Sequence, residues 1–171
     1  EKVRLISYHL YRTAVCSALG PTREGRALIP NSNNRPADVL IPNWVNGLDA
    51  AMDVTVVNPL QRLFVEQVAA HPRYALKTRF NDKMTKRGED CRTAGLAFVP
   101  LVVETLGGWE EQAERQIKRL GAALARHTGQ EEAEKTRHLF QRLAVLLAKG
   151  NAALFLNRVP SHPSALIDRS N

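Results

Sequence analysis

The chain has few cysteines and no long apolar run. Its 171 residues include two cysteines, Cys16 and Cys91, and no CxxC pair. Two cysteines build neither a disulfide framework nor a zinc site of the CxxC kind, so a reducing compartment is the default expectation. No uninterrupted apolar segment approaches the roughly 18 residues of a membrane span, and no signal peptide is recognisable. We therefore expect an intracellular protein with no membrane partner.

Aromatic residues are also scarce, and positive charge is in excess. Phe, Trp and Tyr make up 6% of the chain, which argues against base stacking as the main source of any nucleic-acid affinity. Lysine and arginine number 24 against 17 acidic residues, giving a formal net charge of +7. This balance favours a polyanionic partner, most commonly nucleic acid. A soluble protein that happens to be basic is the alternative.

The length suits one compact domain or a core with an appendage, and 44% hydrophobic residues suffice for a core. The chain begins at Glu1 without a methionine and stops abruptly after "DRSN", so we expect it to be a fragment of a longer protein. We predict a core over residues 1–106 and a helical extension packed on it over residues 107–171.

Hydrophobic patterning predicts an α/β core followed by helices. The predicted order is a helix over residues 2–19, a weak strand ending at Pro30, strands over 37–41 and 50–57 joined by a turn region over 42–49, a helical region over 60–93 interrupted near His71-Pro72, a strand over 96–104 and two C-terminal helices. Pro100 lies within the last strand. Because proline cannot donate to a sheet ladder, it predicts an edge position or a bulge there.

Two aspartates lie in the adjacent strands of the predicted hairpin. Asp38 opens the first strand and Asp53 lies inside the second, and counting back from Asn46-Gly47 brings them toward the same end of the sheet. Burying an ionised carboxylate is costly unless it is paired or binds a metal. Two carboxylates there favour a hard cation such as Mg²⁺, which can generate hydroxide and neutralise a phosphate. The alternative makes Asp38 a turn residue and Asp53 the partner of an arginine.

The segment "RPADVLIPNWVNGLDAAMDVTV" resembles the core of the PD-(D/E)xK restriction-like nucleases, in which an aspartate near a proline is followed by a hairpin and an acid-x-lysine strand. More narrowly, "RPADVLIPNW", "DVTVVNPLQ", "GLAFVPLVVETLGGW" and "TRHLFQRLAVLLAKGN" resemble the restriction-like endonuclease domain at the C-terminal end of some retrotransposon reverse transcriptases. The resemblance covers nearly the whole chain. It implies a restriction-endonuclease-like core of helix, three strands, helix and strand, with a C-terminal helical extension.

The resemblance also implies an activity. The implied protein is a DNA endonuclease that depends on Mg²⁺ or Mn²⁺ and nicks target DNA for target-primed reverse transcription in the nucleus. Asp38 and Asp53 become catalytic metal ligands. The implied partners are DNA, the reverse transcriptase part of the same polyprotein and its RNA. Two alternatives remain open: a degenerate nuclease fold that binds nucleic acid without cutting, and a helical module that docks other parts of the polyprotein.

The lysine of the acid-x-lysine pattern is missing, because position 55 is Thr55. In the retrotransposon branch the following helix supplies the lysine, and the resemblance assigns this catalytic role to Lys83, with Lys86 as the alternative. The branch often has a tyrosine near position 87, where this chain has Arg87. Such a lysine orients the attacking water and stabilises charge on the phosphate. The alternative is a solvated lysine on a basic helix face.

Basic residues near the aspartates predict a phosphate-binding ridge, since Arg79, Lys83, Lys86 and Arg87 fall within about two turns of one helix. His9 and Arg12, near the start of the chain, resemble a His-x-x-Arg element of the family. The predicted DNA-binding residues are His9, Arg12, Arg35, Arg79, Lys86 and Arg87. The alternative for His9 is a half-buried histidine between two tyrosines. The basic groups farther along, Lys118, Arg119 and Arg126 and then Lys135, Arg137 and Arg142, are interpreted as solvated helix faces.

Overall fold

The computed structural model describes residues 1–23 and 37–158. Its elements are α1 (Lys2–Cys16), β1 (Thr22–Arg23), β2 (Val39–Val45), β3 (Leu48–Val57), α2 (Val65–Ala70), α3 (Tyr74–Thr93), β4 (Leu96–Glu104), α4 (Glu111–Thr128) and α5 (Glu132–Leu156). The predicted α/β class with C-terminal helices is confirmed. The weak strand predicted to end at Pro30 begins at β1, and its residues beyond Arg23 lie outside the described part of the chain.

The four strands form one mixed sheet in the order β1-β2-β3-β4. The first two pairings are antiparallel and the third, between β3 and β4, is parallel. A parallel pair needs a crossover connection, and α2 and α3 provide it. Strand β4 is therefore an edge strand, as Pro100 predicts, since an edge tolerates a residue that cannot donate to the ladder.

The turn between β2 and β3 is much tighter than predicted. The turn region over residues 42–49 was wrong, because β2 continues to Val45 and Val45 already pairs with Leu48. Asn46 and Gly47 have φ values of 49° and 83°. Two consecutive left-handed residues are what a two-residue hairpin turn of the I′ type requires, and Asn-Gly is its preferred sequence.

Strand β2 accommodates its two turn-forming residues through a local irregularity. The pairing register shifts between Ile41 and Val45, around Pro42 and Asn43. Asn43 has a φ of 51°, and its N–H donates to Asp49 Oδ1 at 2.9 Å. A side-chain acceptor thus replaces a ladder carbonyl, which lets the strand continue through residues that favour turns.

The sheet has two differently covered faces, because successive side chains of β3 point to opposite sides. Ala50, Met52 and Val54 pack into the main core with side chains of α1, α4 and α5, including Ile6, Leu10, Ile117, Leu120 and Leu143. Ala51 and Val57 belong to the smaller clusters under α3. Asp53 and Thr55 lie between them on that same side of the strand. The C-terminal helices therefore complete the core of the sheet.

Helix α5 is long enough and apolar enough to cross a membrane by length and composition alone. The sequence expectation did not anticipate this, because Arg142 and Lys149 interrupt the apolar run. Leu139, Leu143 and Leu147 of this helix are buried in the main core. Only part of its apolar composition supplies core packing, because Val145, Leu154, Phe155 and Leu156 are exposed.

The contact between α4 and α5 depends on the absence of a side chain at Gly121. A Cβ at this position would lie 2.9 Å from Thr136 Cα and 2.5 Å from Thr136 Oγ1 of α5. Backbone cannot yield as a flexible side chain does, so the two helices must separate. We expect Gly121→Ala to lower the free energy of unfolding by about 1–3 kcal/mol, the usual cost of overpacking. Urea unfolding followed by circular dichroism measures this.

Gly88→Ala in α3 is the matched control. The nearest atom to a Cβ there is the flexible end of Met84, at 3.4 Å. Because alanine is favoured over glycine in a helix by about 1 kcal/mol, this substitution should leave stability unchanged or raise it. Equal effects of the two substitutions would contradict the close packing of α4 on α5.

Candidate functional site

An ion pair joins α3 to the central strand β3. Lys83 Nζ lies 2.6 Å from Asp53 Oδ2, and the two side chains are only 24% and 14% exposed, respectively. A charge-assisted bond at this separation is among the stronger polar contacts in a protein. Lys86, the alternative lysine, is exposed to solvent. Of the two lysines, the fold therefore brings Lys83 to the aspartate.

The rotation of α3 about its axis explains this choice. The sheet-facing stripe of α3 consists of Leu76, Phe80, Lys83, Arg87 and Cys91. Steps of three and four residues keep a stripe on one side of a helix. Leu76 packs near Val57 at one end of β3, and Cys91 packs against Ala51 at the other. Apolar contacts at both ends thus leave the charged middle of the stripe above Asp53.

Asp38 lies immediately before β2 and contacts the residues on both sides of Asp53. Its backbone N–H donates to the Met52 carbonyl at 2.8 Å, and its Oδ2 accepts from the Val54 N–H at 2.8 Å. The hairpin therefore brings the two acids to the same end of the sheet, as their spacing predicts. The bond to Val54 also orients the Asp38 carboxylate. We call Asp38, Asp53 and Lys83 the acid–lysine cluster.

Thr55 occupies the position where the resembled pattern has its lysine, and it faces the same side of β3 as Asp53. Thr55 Oγ1 lies 3.3 Å from Asp53 Oδ2, within hydrogen-bonding distance. The same carboxylate oxygen thus receives the Thr55 hydroxyl from the strand and the Lys83 ammonium from the helix. A lysine reaching in from α3 and a residue at position 55 therefore converge on one point.

The remaining cations of α3 do not form one continuous ridge. Arg87 is half-buried on the sheet-facing stripe, whereas Lys86 is exposed. Arg79 pairs with Asp82 on its own helix at 3.6 Å. By helical spacing Arg79 and Lys86 lie seven residues apart and so share one flank of α3, beside the acid–lysine cluster. Arg35 lies outside the described residues.

His9 and Arg12 lie apart from the acid–lysine cluster. They belong to α1, whose buried Ile6 and Leu10 pack on the face of the sheet opposite to α3. His9 is half-buried and Arg12 is exposed, and both line a groove between α1 and α5. The sheet therefore separates these two predicted DNA contacts from the cluster.

Cys91 is a buried neighbour of the cluster that the sequence analysis did not connect with it. Burial raises the pKa of the Cys91 thiol, with Asp90 and Asp53 adding to this effect and Arg87 opposing it. The thiol therefore stays protonated at neutral pH and behaves as an apolar side chain. Its spacing from Leu76 along α3 is the sequence signal that would have placed it on the sheet-facing stripe.

The cluster provides two carboxylates for a metal ion. Among the described residues no group of three or more His, Cys, Asp and Glu side chains is arranged to hold a metal. Mg²⁺ keeps several waters and is commonly bound through one or two carboxylates together with substrate phosphates. A carboxylate has about four acceptor positions, and the contacts of Asp53 with Thr55 and Lys83 leave that carboxylate capacity for a cation. The donor set thus fits a hard divalent ion completed by water and phosphate.

No protein-family model, curated protein or solved structure matches this chain.

Proposed function

We propose that this chain is a metal-dependent DNA endonuclease domain that acts at the acid–lysine cluster. The supporting observation is the 2.6 Å contact between Lys83 and Asp53, beside an Asp38 that bonds to the strand on either side of Asp53. Asp53 and Lys83, far apart in sequence, meet at one half-buried place, and the Asp38 carboxylate is held by the residue next to Asp53. Gathering two carboxylates there has a desolvation cost that binding a cation offsets.

A divalent ion at Asp38 and Asp53 would supply Lewis-acid stabilisation of the phosphate and a more acidic bound water. The chain's own residues hold the geometry. Asp53, whose carboxylate also accepts from the Thr55 hydroxyl, fixes the Lys83 ammonium, which donates to the attacking water and to a phosphate oxygen. The Val54 N–H fixes the carboxylate of Asp38. Water adds to phosphorus as the bond to the 3′ oxygen breaks, and that oxygen takes up a proton to leave a 3′-hydroxyl opposite a 5′-phosphate.

The charge distribution supports DNA as the substrate. Arg79 and Lys86 flank the cluster on α3, and the chain as a whole carries a net charge of +7. Such cations bind phosphates and position the duplex without reading its sequence. By the resemblance, the 3′-hydroxyl primes reverse transcription by the rest of the polyprotein on its RNA.

Lys83→Ala should slow cutting by about 10²-fold or more, the scale of losing one positioned charge stabiliser. Lys86→Ala removes the same charge from the exposed flank of the same helix, and it should change the rate at saturating DNA by less than about threefold. Single-turnover nicking of supercoiled plasmid at saturating Mg²⁺ measures both. A slow Lys86→Ala beside a normal Lys83→Ala would reverse the assignment.

Returning an ammonium from the strand should restore part of the loss. In the Lys83→Ala background, Thr55→Lys places its side chain on the same face of β3, where Thr55 now contacts Asp53. Recovery should be partial, because a space of threonine size must admit a longer chain. The rate of the double variant relative to Lys83→Ala tests this, and Thr55→Gln in the same background controls for side-chain length. Equal rates for lysine and glutamine at position 55 would count against a shared role.

Asp38→Asn and Asp53→Asn should each abolish nicking while DNA binding stays near normal or becomes slightly tighter, because a repelling carboxylate is lost. The amide oxygen of an asparagine at position 38 can still accept from the Val54 N–H, so Asp38→Asn should stay folded. Asp38→Ala should in addition lose about 1–3 kcal/mol of stability, because that N–H loses its acceptor. Plasmid nicking, anisotropy with labelled DNA and thermal unfolding separate these effects. Full-rate nicking by either asparagine variant would exclude the metal site.

The wild-type protein itself distinguishes cutting from binding alone. Salt-dependent DNA binding with no nicking in Mg²⁺ or Mn²⁺ would identify a degenerate nuclease fold. Absence of both would instead favour the interaction module.

A further inference from the structure

A second basic surface lies between α1 and α5, on the face of the sheet opposite to the acid–lysine cluster. We call it the α1–α5 groove. The groove is lined by the cations Arg12, Lys135, Arg142 and Lys149 and by the imidazoles of His9 and His138. Two of these residues, Lys135 and Arg142, belong to a group that the sequence predicts to be a solvated helix face. The fold instead gathers them opposite α1 in one concave surface.

The cations of α5 form a stripe along the groove. Lys135, His138, Arg142 and Lys149 are separated by steps of three, four and seven residues. At about 1.5 Å per residue, a seven-residue step covers about 10.5 Å and the whole stripe about 21 Å. Phosphates in one strand of a duplex advance about 3.4 Å each along the axis. The stripe therefore has the length of about six nucleotide steps.

The groove has a positive potential with little local compensation. Among the described residues that line it, none carries a carboxylate. Within the described part of the chain, one carboxylate contacts these side chains, that of Glu134 on α5, which lies 3.9 Å from His138 with both side chains about half exposed. Burial and the nearby Arg142 lower the pKa of His9. A bound anion would offset the effect of Arg142 on His9 and the repulsion among the arginine and lysine side chains of the groove.

The floor of the groove is apolar, and one end is aromatic. Leu124, Leu139 and Leu146 lie among the lining residues. Tyr8 lines the same surface and is 45% exposed, with Arg23 5.1 Å from its ring centre. Cations along a groove combined with an exposed aromatic ring are the features that bind a single strand by its phosphates and stack its bases. A duplex presents a convex, fully stacked surface that suits such a groove less well.

We propose that the α1–α5 groove binds a single-stranded nucleic-acid segment that is distinct from the phosphodiester bond at the acid–lysine cluster. The sheet and its core side chains separate the two sites, so one segment occupies the groove while another lies under α3. This inference adds a binding surface to the proposed nuclease and stands independently of whether the cluster cuts. It also gives His9 and Arg12 a common ligand with α5.

The test is fluorescence anisotropy of a labelled 12-nucleotide oligo-dT titrated with the protein at several salt concentrations. The variant is Arg12→Glu with Arg142→Glu. The control, Lys118→Glu with Arg126→Glu, changes the net charge by the same amount on exposed positions of α4. We expect the groove variant to lose at least tenfold in affinity. Its log–log salt slope should fall by about 1.4, because two single-strand contacts are removed. The control should stay within about threefold.

Several results would overturn the proposal. Equal losses in the groove variant and the control would indicate diffuse electrostatics. Competition by duplex DNA as effective as by oligo-dT, at equal phosphate concentration, would exclude a single-strand site. Stronger competition by poly-glutamate would assign the groove to an acidic protein partner. If charge reversal lowers the thermal midpoint, the Arg12→Gln and Arg142→Gln pair is tested in its place, and wild-type affinity for that pair would also overturn the proposal.

Two further measurements localise the ligand. Oligo-dT affinity of the wild-type protein, measured in EDTA where metal-dependent cutting cannot occur, should equal that in Mg²⁺, and this separates failure of the groove from failure of the nuclease proposal. Titration of the His9 ring by NMR should give a higher pKa with oligo-dT than without it, because a phosphate offsets the effect of Arg142. An unchanged His9 pKa in the saturated complex would place the ligand elsewhere.

Discussion

The contact between Lys83 and Asp53 constrains how α3 lies on the sheet. Both groups are largely withdrawn from solvent. Removing either Lys83 or Asp53 would leave the other charge partly desolvated and without its partner, and this destabilises the fold. The apolar ends of the helix, at Leu76 and Cys91, hold the same orientation from either side. The ion pair and the apolar packing thus favour the same rotation of α3 about its axis.

The sheet divides the molecule into two electrostatic environments. Under α3 the acids lie close to Lys83, which partly neutralises them. Carboxylates there favour a cation, and the lysine favours a phosphate. Across the sheet, α1 and α5 present cations with few acids nearby, which suits a phosphate chain alone. The main core between them is continuous from α1 through β3 to α5. If both proposals hold, a nucleic acid would reach the two surfaces only by passing around the edge of the sheet or by supplying two separate segments.

Local patterns predicted the elements well where hydrophobic periodicity was strong. Strands β3 and β4 and helices α4 and α5 lie where the spacing of apolar residues places them. The turn over residues 42–49 was wrong, because Pro42 and Asn43 favour turns by composition. Their backbone is carried through β2 by an irregular register and the carboxylate of Asp49. Tertiary pairing overrode local preference at this point.

The sequence alone predicted that Asp38 and Asp53 lie toward the same end of the sheet, because Asn46-Gly47 folds the two strands back on each other. Regular pairing counted from Val45 and Leu48 would set Asp38 opposite Thr55, and the register shift between Ile41 and Val45 sets it opposite Asp53 instead. Only the tertiary structure decided which lysine joins them. Lys83 and Lys86 are three residues apart, and the rotation of α3, fixed by distant apolar contacts, turns one inward and the other to solvent. The tertiary structure likewise decided that His9 and Arg12 lie apart from the acid–lysine cluster. Nothing local states which face of a sheet a helix covers, and the burial of Ile6 and Leu10 against Met52 and Val54 puts α1 on the face opposite to α3.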